Sequence, residues 1–400
     1  MEDRAETEMK SAVVGVAKGE DPYRTAFDLL AALPVANFAG KRVLIKPNAA
    51  RMAAPGEGVT TNPGIVSAIV DALKLKGARE IIIGESCILG VAASAAFRKT
   101  GLEAAAREKC VPLLDLDGLD PVEVRIPRGR LLQTIKVSSI VQRVDLIVSV
   151  PVMKTHMHTR VTLGIKNMKG LLWKREKARF HHLAASPEVA RGEKELDWAI
   201  AEMATVLAPQ LVVVDGTVGM EGMGPGYGKA KKMGVVVAGA NALATDAVAS
   251  RLMGFDPEAI PHLRLCHELG LGPIHLDQLS VAPSDFIKWE DPFEPPPARI
   301  SLSYPDVAVY DRGSCSACLS TLMIFLQEQQ GHLDDYRLSD HKFHVGIGKY
   351  LEGVPEGTVL LGNCTQKLRE RGVFIQGCPP ISSQILETLQ GRKAKKKGRP

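Results

Sequence analysis

The sequence lacks any stretch that approaches the ~20 uninterrupted apolar residues of a membrane-spanning helix. Its first ten residues, MEDRAETEMK, are acidic and lack the apolar core of a secretory signal. Seven cysteines without such a signal are typical of free thiols or metal ligands rather than of a disulfide framework. We therefore expect a cytoplasmic protein without a membrane span.

A large excess of one charge sign is also absent from most of the chain. The net charge is +5, but the last ten residues, GRKAKKKGRP, contain six Lys or Arg and no acid. The remainder therefore has a net charge of about −1. A protein that coats nucleic acid needs a basic face on its folded part, so we expect no nucleic-acid partner. We interpret the basic tail, residues 391–400, as a solubilising end, with contact to RNA, DNA or anionic lipid as the alternative.

Short β-branched runs alternate with longer amphipathic segments, a pattern typical of an α/β protein. The sequence predicts a mixed or mostly parallel sheet covered by helices, with a smaller C-terminal α/β domain that carries cysteines. We expect an α/β anion-binding domain over residues 1–282, a Pro-rich linker over 283–300 (PSDFIKWEDPFEPPP and flanks), a four-Cys domain over 301–390 and the tail. The predicted strands are 43–45, 81–83, 146–150, 211–214 and 235–238, and the predicted helices are 63–76, 93–107 and 197–207.

One predicted strand runs into Lys46-Pro47-Asn48, and a polar loop then leads to Thr60-Thr61-Asn62 before a helix. In open α/β sheets ligands bind at the carboxyl ends of strands, and a helix N-terminus offers N–H groups to an anion. Lys46 and the threonines suit that role. The alternative is a capped helix beside a solvated lysine.

Residues 154–182 form a strongly basic segment, with eight Lys or Arg, four His and a single acid. Such a local positive field concentrates an anionic ligand. A later segment, 211–239, has a strand that we expect to end at Asp215, then six glycines and three lysines, which would let the backbone approach a ligand or form a mobile lid. Neither a Walker loop nor a GxGxxG fingerprint is present.

Three groups of motifs resemble the family called domain of unknown function 362: KPN with TTNPG, VPVMKTHMHTRVTLGIKNMKGLL, and VVDGTVGMEGMGPGYG with ATDAVASRLMGFDP. The resemblance covers roughly residues 10–280. It implies an α/β domain found mainly in anaerobic bacteria and archaea and often fused to ferredoxin-type iron–sulfur modules. The ferredoxin repeat CxxCxxCxxxCP is missing here.

The family's motif positions fall on Lys46, Asn48, Thr61, Lys154, His156, Lys166, Asn167, Gly170, Asp215, Glu221 and Asp246. We assign Lys154 and His156 catalytic roles, His156 as a proton donor or base. We assign anion binding to Lys46, Asn48, Thr61, Lys166, Asn167, Asp215 and Glu221. For Asp246 a place in the first turn of a helix is the expected alternative to an inward site role.

Four cysteines lie in the last quarter of the chain: Cys315, Cys318, Cys364 and Cys378. A CxxC with two remote cysteines suits a [4Fe–4S] cluster, which accepts irregular ligand spacing. Structural zinc is the alternative metal, and a thioredoxin-like dithiol of Cys315 and Cys318 leaves the other two unexplained.

The sequence therefore predicts an iron–sulfur oxidoreductase or electron-transfer enzyme that acts on an anionic small molecule and exchanges electrons with a partner. One alternative is a non-redox hydrolase, isomerase or ligase that acts on a carboxylate or phosphate and holds structural zinc. The other is a non-catalytic redox sensor.

Overall fold

The structure is a computed structural model that describes residues 12–34, 37–88, 90–181, 183, 189, 193–296, 304–329 and 331–397. The side chains of residues 316, 317 and 392–397 lie outside this description, and with them most of the predicted basic tail. The chain divides into two compact units, Met1–Pro296 and Pro297–Pro400. Among the described residues no helix combines the length and apolarity needed to span a bilayer.

The larger unit contains twelve strands and ten α-helices within the described residues. The strands are β1 (Ala12–Lys18), β2 (Arg42–Pro47), β3 (Glu80–Glu85), β4 (Leu113–Asp115), β5 (Pro121–Arg125), β6 (Thr134–Ser138), β7 (Leu146–Val150), β8 (Val152–His156), β9 (Arg160–Val161), β10 (Leu211–Glu221), β11 (Lys229–Gly239) and β12 (Leu279–Ala282). The helices are α1 (Pro22–Ala32), α2 (Pro63–Leu75), α3 (Ala93–Lys99), α4 (Leu102–Glu108), α5 (Ile140–Arg143), α6 (Leu163–Asn167), α7 (Glu176–Arg179), α8 (Glu195–Leu207), α9 (Ala242–Leu252) and α10 (Pro261–Glu268).

Most of these strands form one mixed sheet in the order β12-β1-β11-β10-β7-β2-β3-β4, with β8 and β9 attached beside β10. The run from β10 through β7, β2 and β3 to β4 is parallel, and β11 is antiparallel to both of its neighbours. The predicted fold class, a mixed and mostly parallel sheet with helices, is confirmed. The carboxyl ends of β2, β3 and β7 consequently lie side by side.

Apolar layers cover both faces of the sheet. Successive side chains along its central strands point to opposite faces, so each strand contributes to both layers. Val43 and Ile45 pack into one apolar layer with α1 and α2, whereas Leu44 packs into the other. Strand β7 repeats the pattern with Val148 on the first side and Ile147 on the second. This double coverage is why these strands read as continuous β-branched runs.

Two helix predictions need correction. The single helix expected over 93–107 is two helices, because Gly101 adopts φ 79° between α3 and α4. That conformation strains any residue with a Cβ. Helix α8 begins at Glu195 rather than at the predicted residue 197, and Lys194 is its N-cap. The Asp197 carboxylate accepts a hydrogen bond from the Lys194 N–H at 3.0 Å.

The glycine-rich segment is mainly a long hairpin rather than a loop. Strand β10 continues past Asp215 to Glu221, so the expected strand end at Asp215 is wrong, and only residues 222–228 connect it to β11. The three lysines that follow, which begin β11, form ion pairs. Lys231 pairs with Glu221 within the hairpin and with Asp291 outside it, and Lys229 and Lys232 pair with Glu294 and Glu20.

The smaller unit is a four-stranded, fully parallel sheet in the order β13-β14-β15-β16. Its strands are β13 (Val307–Asp311), β14 (Phe343–Ile347), β15 (Thr358–Leu361) and β16 (Gly372–Ile375). Helix α11 (Ser316–Glu328) follows β13, a 3₁₀ segment (Asn363–Arg371) follows β15, and α12 (Ser382–Lys397) follows β16. This confirms the predicted smaller C-terminal α/β fold.

Asp246 is not in the first turn of a helix, as expected for one alternative, but its side chain does point inward. It lies in the second turn of α9, fully buried, and its two carboxylate oxygens accept hydrogen bonds from the N–H groups of Gly164 at 2.7 Å and Ile165 at 2.9 Å. These N–H groups open α6 and have no partner within that helix. Burial raises the pKa of Asp246 to about 7, while the two N–H groups oppose that rise.

We expect Asp246→Ala to lower the free energy of unfolding by about 3 kcal/mol, since it leaves two buried donors without an acceptor. Urea denaturation monitored by circular dichroism measures the change. The matched control is Asp285→Ala, which removes an exposed carboxylate paired with Lys288 and should cost under about 1 kcal/mol. Equal costs for the two variants would contradict the role given to Asp246.

Candidate functional site

A cleft of about 210 Å³ opens where β2, β3 and β7 end. Its described lining carries six Lys or Arg side chains and one acidic side chain, Glu85. The basic side chains are Lys46, Arg51, Lys154, Lys166, Lys169 and Lys177. The carboxyl edge of parallel strands is where α/β proteins place ligands, so the position and the charge agree.

A buried ion pair forms the floor of this cleft. The Lys46 ammonium lies 2.9 Å from both carboxylate oxygens of Glu85, and neither residue is exposed. Backbone N–H groups of Ser86 and Ala49 also bind the carboxylate. Burial lowers the pKa of Lys46, and the Glu85 carboxylate opposes that shift. Gly170 closes over the pair, because a Cβ there would lie 2.3 Å from a Glu85 oxygen.

Two amides connect this pair to the rest of the cleft. The Asn167 side-chain oxygen accepts hydrogen bonds from Lys46 Nζ at 3.2 Å and from the Asn48 amide at 3.4 Å. The Asn167 amide nitrogen donates to the Lys46 carbonyl and to Ser149 Oγ. Thr61 does not line the cleft; its hydroxyl donates to the Val150 carbonyl at 2.6 Å and accepts from Asn48 N–H. These bonds fix the ends of β2 and β7 together.

Lys154 is the second lysine of the cleft, and it is 3% exposed. Its Nζ donates to Asn48 Oδ1 at 2.6 Å and to the Val59 carbonyl at 2.8 Å. Burial lowers the pKa of Lys154 to about 7, with the nearby Arg51 charge as the next cause. A lysine whose pKa lies near neutrality serves as a base or nucleophile.

The remaining cations come from loops and short helices. Burial and then the Lys169 charge lower the pKa of Lys166 well below its ordinary value. Lys169 lies 3.0 Å from His181, and Lys177 pairs with Asp117 at 2.6 Å. Arg51 also reaches the hairpin tip, where its guanidinium lies 5.6 Å from the centre of the Tyr227 ring. An arginine side chain keeps its charge at every physiological pH.

His156 is buried but is not part of the cleft lining. Its Nδ1 accepts hydrogen bonds from the N–H groups of His158 at 3.1 Å and Thr159 at 3.4 Å, so the ring proton resides on Nε2. Burial, followed by the Lys166 charge, lowers the pKa of His156 well below its usual value. The ring is therefore neutral and carries its N–H donor on Nε2.

Two acidic residues of the predicted anion site lie elsewhere. Asp215 is buried, and its carboxylate accepts hydrogen bonds from the N–H of Asn62, the residue before α2, at 2.7 Å and from the Thr217 hydroxyl. Burial raises its pKa and these bonds oppose the rise. Glu221 lies on the hairpin and pairs with Lys231 at 3.4 Å. Neither lines the cleft, so of the predicted set the structure gathers Lys46, Asn48, Lys154, Lys166 and Asn167 there.

Sequence reasoning missed Glu85, Ser86 and Arg51, which line the same cleft. Glu85 had a usable signal, because an acidic residue that ends an Ile-rich strand next to the Lys46 strand is a natural partner for that lysine. Arg51 had none, since it occupies an irregular loop. His182 of the basic segment lies outside the described residues.

The four late cysteines follow the carboxyl ends of strands in the smaller unit. Cys315 caps α11 and Cys318 lies in its first turn, after β13; Cys364 follows β15 and Cys378 follows β16. Cys318 is hydrogen-bonded with Cys315. Gly362 leaves room for the Cys318 sulfur, because a Cβ at Gly362 would lie 3.0 Å from it.

The thiols influence each other electrostatically. The Cys315 hydrogen bond, burial and the charges of the other three cysteines raise the pKa of Cys318 far above its usual range. Burial and then the neighbouring cysteines raise the pKa of Cys378, and for Cys364 the Lys349 charge opposes the rise. Four thiolates at these positions repel each other, and a cation among them would reverse that effect.

The donor chemistry of this cysteine cluster fits a thiolate-ligated centre, since it offers four sulfurs from the segments that follow β13, β15 and β16. The sulfur positions do not yet describe a coordination sphere: within the described residues, no three His, Cys, Asp or Glu side chains are placed to hold a metal ion. No disulfide bond joins any of the seven cysteines, all of which lie within the described residues.

The fold and the site define an α/β protein with a cationic cleft at the carboxyl edge of its parallel strands. The chain belongs to the family described as Domain of unknown function (DUF362), whose model matches residues 43–251, just over half of the chain. The family resemblance noted in the sequence is thereby confirmed, without its iron–sulfur association.

Among curated proteins, the chain is 29% identical over 238 residues to a thylakoid-associated protein of Synechocystis sp.. The matched region covers 58% of this chain and 70% of that protein. Two solved structures are similar at low level. The lactate racemase apoprotein of Thermoanaerobacterium thermosaccharolyticum has a TM-score of 0.39 and 11% identity, over 66% of this chain and 58% of that one. A Thermotoga maritima protein has a TM-score of 0.36 and 13% identity, over 63% and 60%. Less than two thirds of either neighbour is therefore matched.

We expect Glu85→Gln to lower the free energy of unfolding by about 3–5 kcal/mol, because it leaves the buried Lys46 ammonium without its counter-charge. The double variant Lys46→Met/Glu85→Gln should recover most of this loss. Chemical denaturation of the two single variants and the double variant measures the coupling. Additive costs within about 0.5 kcal/mol would show that the pair does not act as a unit.

Proposed function

We propose that the protein is an enzyme that binds a small anionic molecule in the cationic cleft and bears an iron–sulfur cluster on its smaller unit. The observation that supports the first part is the charge of the cleft, six basic side chains and one acid among the described lining residues. Glu85 is already matched by Lys46, so the charge that remains favours an anion.

The dimensions of the cleft favour a small ligand. Pockets for drug-sized molecules occupy about 300–1,000 Å³, and this cleft measures about 210 Å³. Polar groups from several elements line it, including Asn48, Ser86 and Thr162. A carboxylate or phosphate of a few heavy atoms fits both the volume and the hydrogen-bonding groups, with the Arg51 guanidinium suited to bind two anion oxygens at once.

We expect oxalate and inorganic phosphate to bind to the purified protein, and Arg51→Gln to weaken that binding at least about tenfold, as loss of one charged hydrogen-bonding group predicts. Isothermal titration calorimetry at low salt measures the affinity. Arg107→Gln, an exposed arginine on α4, is the matched control and should leave it unchanged. Equal binding by both variants would place the anion elsewhere.

The second part of the proposal is supported by four thiols that all follow the carboxyl ends of strands in one parallel sheet. Because the cysteines raise each other's pKa values, their joint ionisation needs a positive centre. An iron–sulfur cluster supplies one and accepts ligands at irregular spacing, whereas structural zinc usually takes two close pairs. Such a cluster would exchange single electrons with a partner protein. That exchange would support redox chemistry on the anion in the cleft.

We propose the cytoplasm as the compartment, since none of the seven cysteines, all within the described residues, forms a disulfide bond, and unpaired cysteine frameworks are typical of reducing surroundings. The curated relative is thylakoid-associated, so cell fractionation should include the membrane fraction.

Anaerobically purified protein should contain about four iron and four sulfide per chain and absorb broadly in the visible range, as a four-thiolate cluster requires. Cys364→Ser and Cys378→Ser should reduce iron content and shift the electron paramagnetic resonance spectrum of the reduced protein. Cys110→Ser, an exposed cysteine of the larger unit, is the control.

One zinc per chain without sulfide would favour the non-redox alternative with a structural metal. An intact cluster with full anion binding but no turnover of any anion would favour the redox sensor. Iron-free and zinc-free protein prepared without oxygen would remove the cluster from the proposal.

A further inference from the structure

The two buried lysines of the cleft have different surroundings. Lys46 faces a carboxylate at 2.9 Å, so its ammonium is neutralised in place. Lys154 binds two neutral oxygens, the Asn48 amide and the Val59 carbonyl. A lysine that serves only as an anion-binding charge gains nothing from burial against neutral acceptors beside other cations. This arrangement instead favours an uncharged amine, the form of lysine that attacks carbonyl groups.

The geometry at the nitrogen supports the same conclusion. A neutral amine has two N–H bonds and one lone pair. Both protons of Lys154 have acceptors, at 2.6 and 2.8 Å, so the lone pair occupies the remaining tetrahedral position of a nitrogen that lines the cleft. The side chain is held at both bonds and cannot rotate away without losing them. Such fixed orientation lowers the entropic cost of reaction.

The surrounding charges come from every element that borders this amine. They are Arg51 from the loop after β2, Lys46 from β2, Glu85 from β3, Asp215 from β10 and Lys166 from α6. The cations disfavour protonation of the amine and the acids favour it. Arg51 is the largest of these charge effects, and burial exceeds all of them.

We propose that the Lys154 amine is a nucleophile that forms an imine with the carbonyl group of a small 2-oxo acid whose carboxylate binds Arg51. This inference rests on the proposed anion site and names its substrate class. A 2-oxo acid places a carbonyl carbon next to a carboxylate, which matches a nucleophile surrounded by cations in a cleft of about 210 Å³.

The reaction is balanced without an oxidant. The Lys154 lone pair forms a C–N bond to the carbonyl carbon, and the π electrons move to the carbonyl oxygen. The nitrogen then releases both of its protons, the C–O bond breaks, and the oxygen leaves with those protons as water. The resulting C=N bond becomes an iminium on taking up one proton, and it withdraws electrons from the carbon next to it.

The test traps the imine by reduction. The full-length protein is incubated with glyoxylate or pyruvate and cyanoborohydride, and labelled lysines are identified by peptide mass mapping. We expect Lys154 to be labelled on the order of a hundredfold faster at pH 7 than the exposed Lys99, because an ordinary lysine is almost entirely protonated there. Oxalate, which has no ketone or aldehyde, should compete with the labelling.

The pH dependence provides a second readout. The rate of labelling at Lys154 should rise as pH increases to about 7, where the amine loses its proton, and then level off, whereas labelling at Lys99 should keep rising to higher pH. The sign follows from a lowered pKa: the reactive neutral form is present above that pH and is lost below it. Lys154→Arg should remove the fast label, and Lys154→Met checks that loss when the arginine variant does not fold.

The outcomes separate this inference from the site on which it rests. Oxalate binding with no preferential label on Lys154 overturns the imine and leaves the anion site intact. A fast label on Lys166 instead of Lys154 also overturns the assignment. Absence of both oxalate binding and labelling rejects the proposed anion site, and the imine with it.

Discussion

The larger unit depends on one buried ion pair, Lys46 with Glu85. Removing two charges from water costs several kcal/mol per ion, so the pair persists only where further hydrogen bonds satisfy it. Asn167, two backbone N–H groups and a carbonyl do so here. Because Lys46 and Glu85 lie near the carboxyl ends of β2 and β3, the same bonds that stabilise the charges also fix the edge of the sheet. Position 170 requires glycine because a side chain there would collide with the ion pair, and not because the backbone makes a turn that only glycine can adopt.

The ion pair also determines what the rest of the cleft can do. It consumes the single acid of the described lining, so the other basic groups meet no further carboxylate of that lining, and Lys177 pairs with Asp117 beside it. In a desolvated site like charges shift each other's protonation, and the shift is largest for the amines that can lose a proton. Arg51 keeps its charge, whereas Lys154 loses its own near neutral pH. One cleft thereby contains both a permanent cation and an uncharged amine.

Whether a feature of the fold or the cleft can be predicted from the sequence depends on how far apart in the chain its determining residues lie. Lys46 and Lys154 were predictable because strand ends and local charge density are local signals. The role of Asp246 was not, since it is fixed by contacts with Gly164 and Ile165 more than 80 residues away along the chain. The break between α3 and α4 follows from the positive φ of Gly101, and the extension of β10 to Glu221 follows from its pairing with β11. For His156, sequence supplies the residue type, but its tautomer depends on two backbone N–H groups placed by the turn after β8.

Each unit, taken by itself, places its reactive side chains after the carboxyl ends of parallel strands, yet the two sites have opposite electrostatic needs. The cleft holds excess positive charge and favours an anion. The cysteine cluster becomes strongly negative when its thiols ionise, and the thiols raise each other's pKa values. Metal binding at the proposed centre would therefore be coupled to thiol deprotonation: each proton released would strengthen the binding of a cation, and a bound cation would lower the pKa of the remaining thiols.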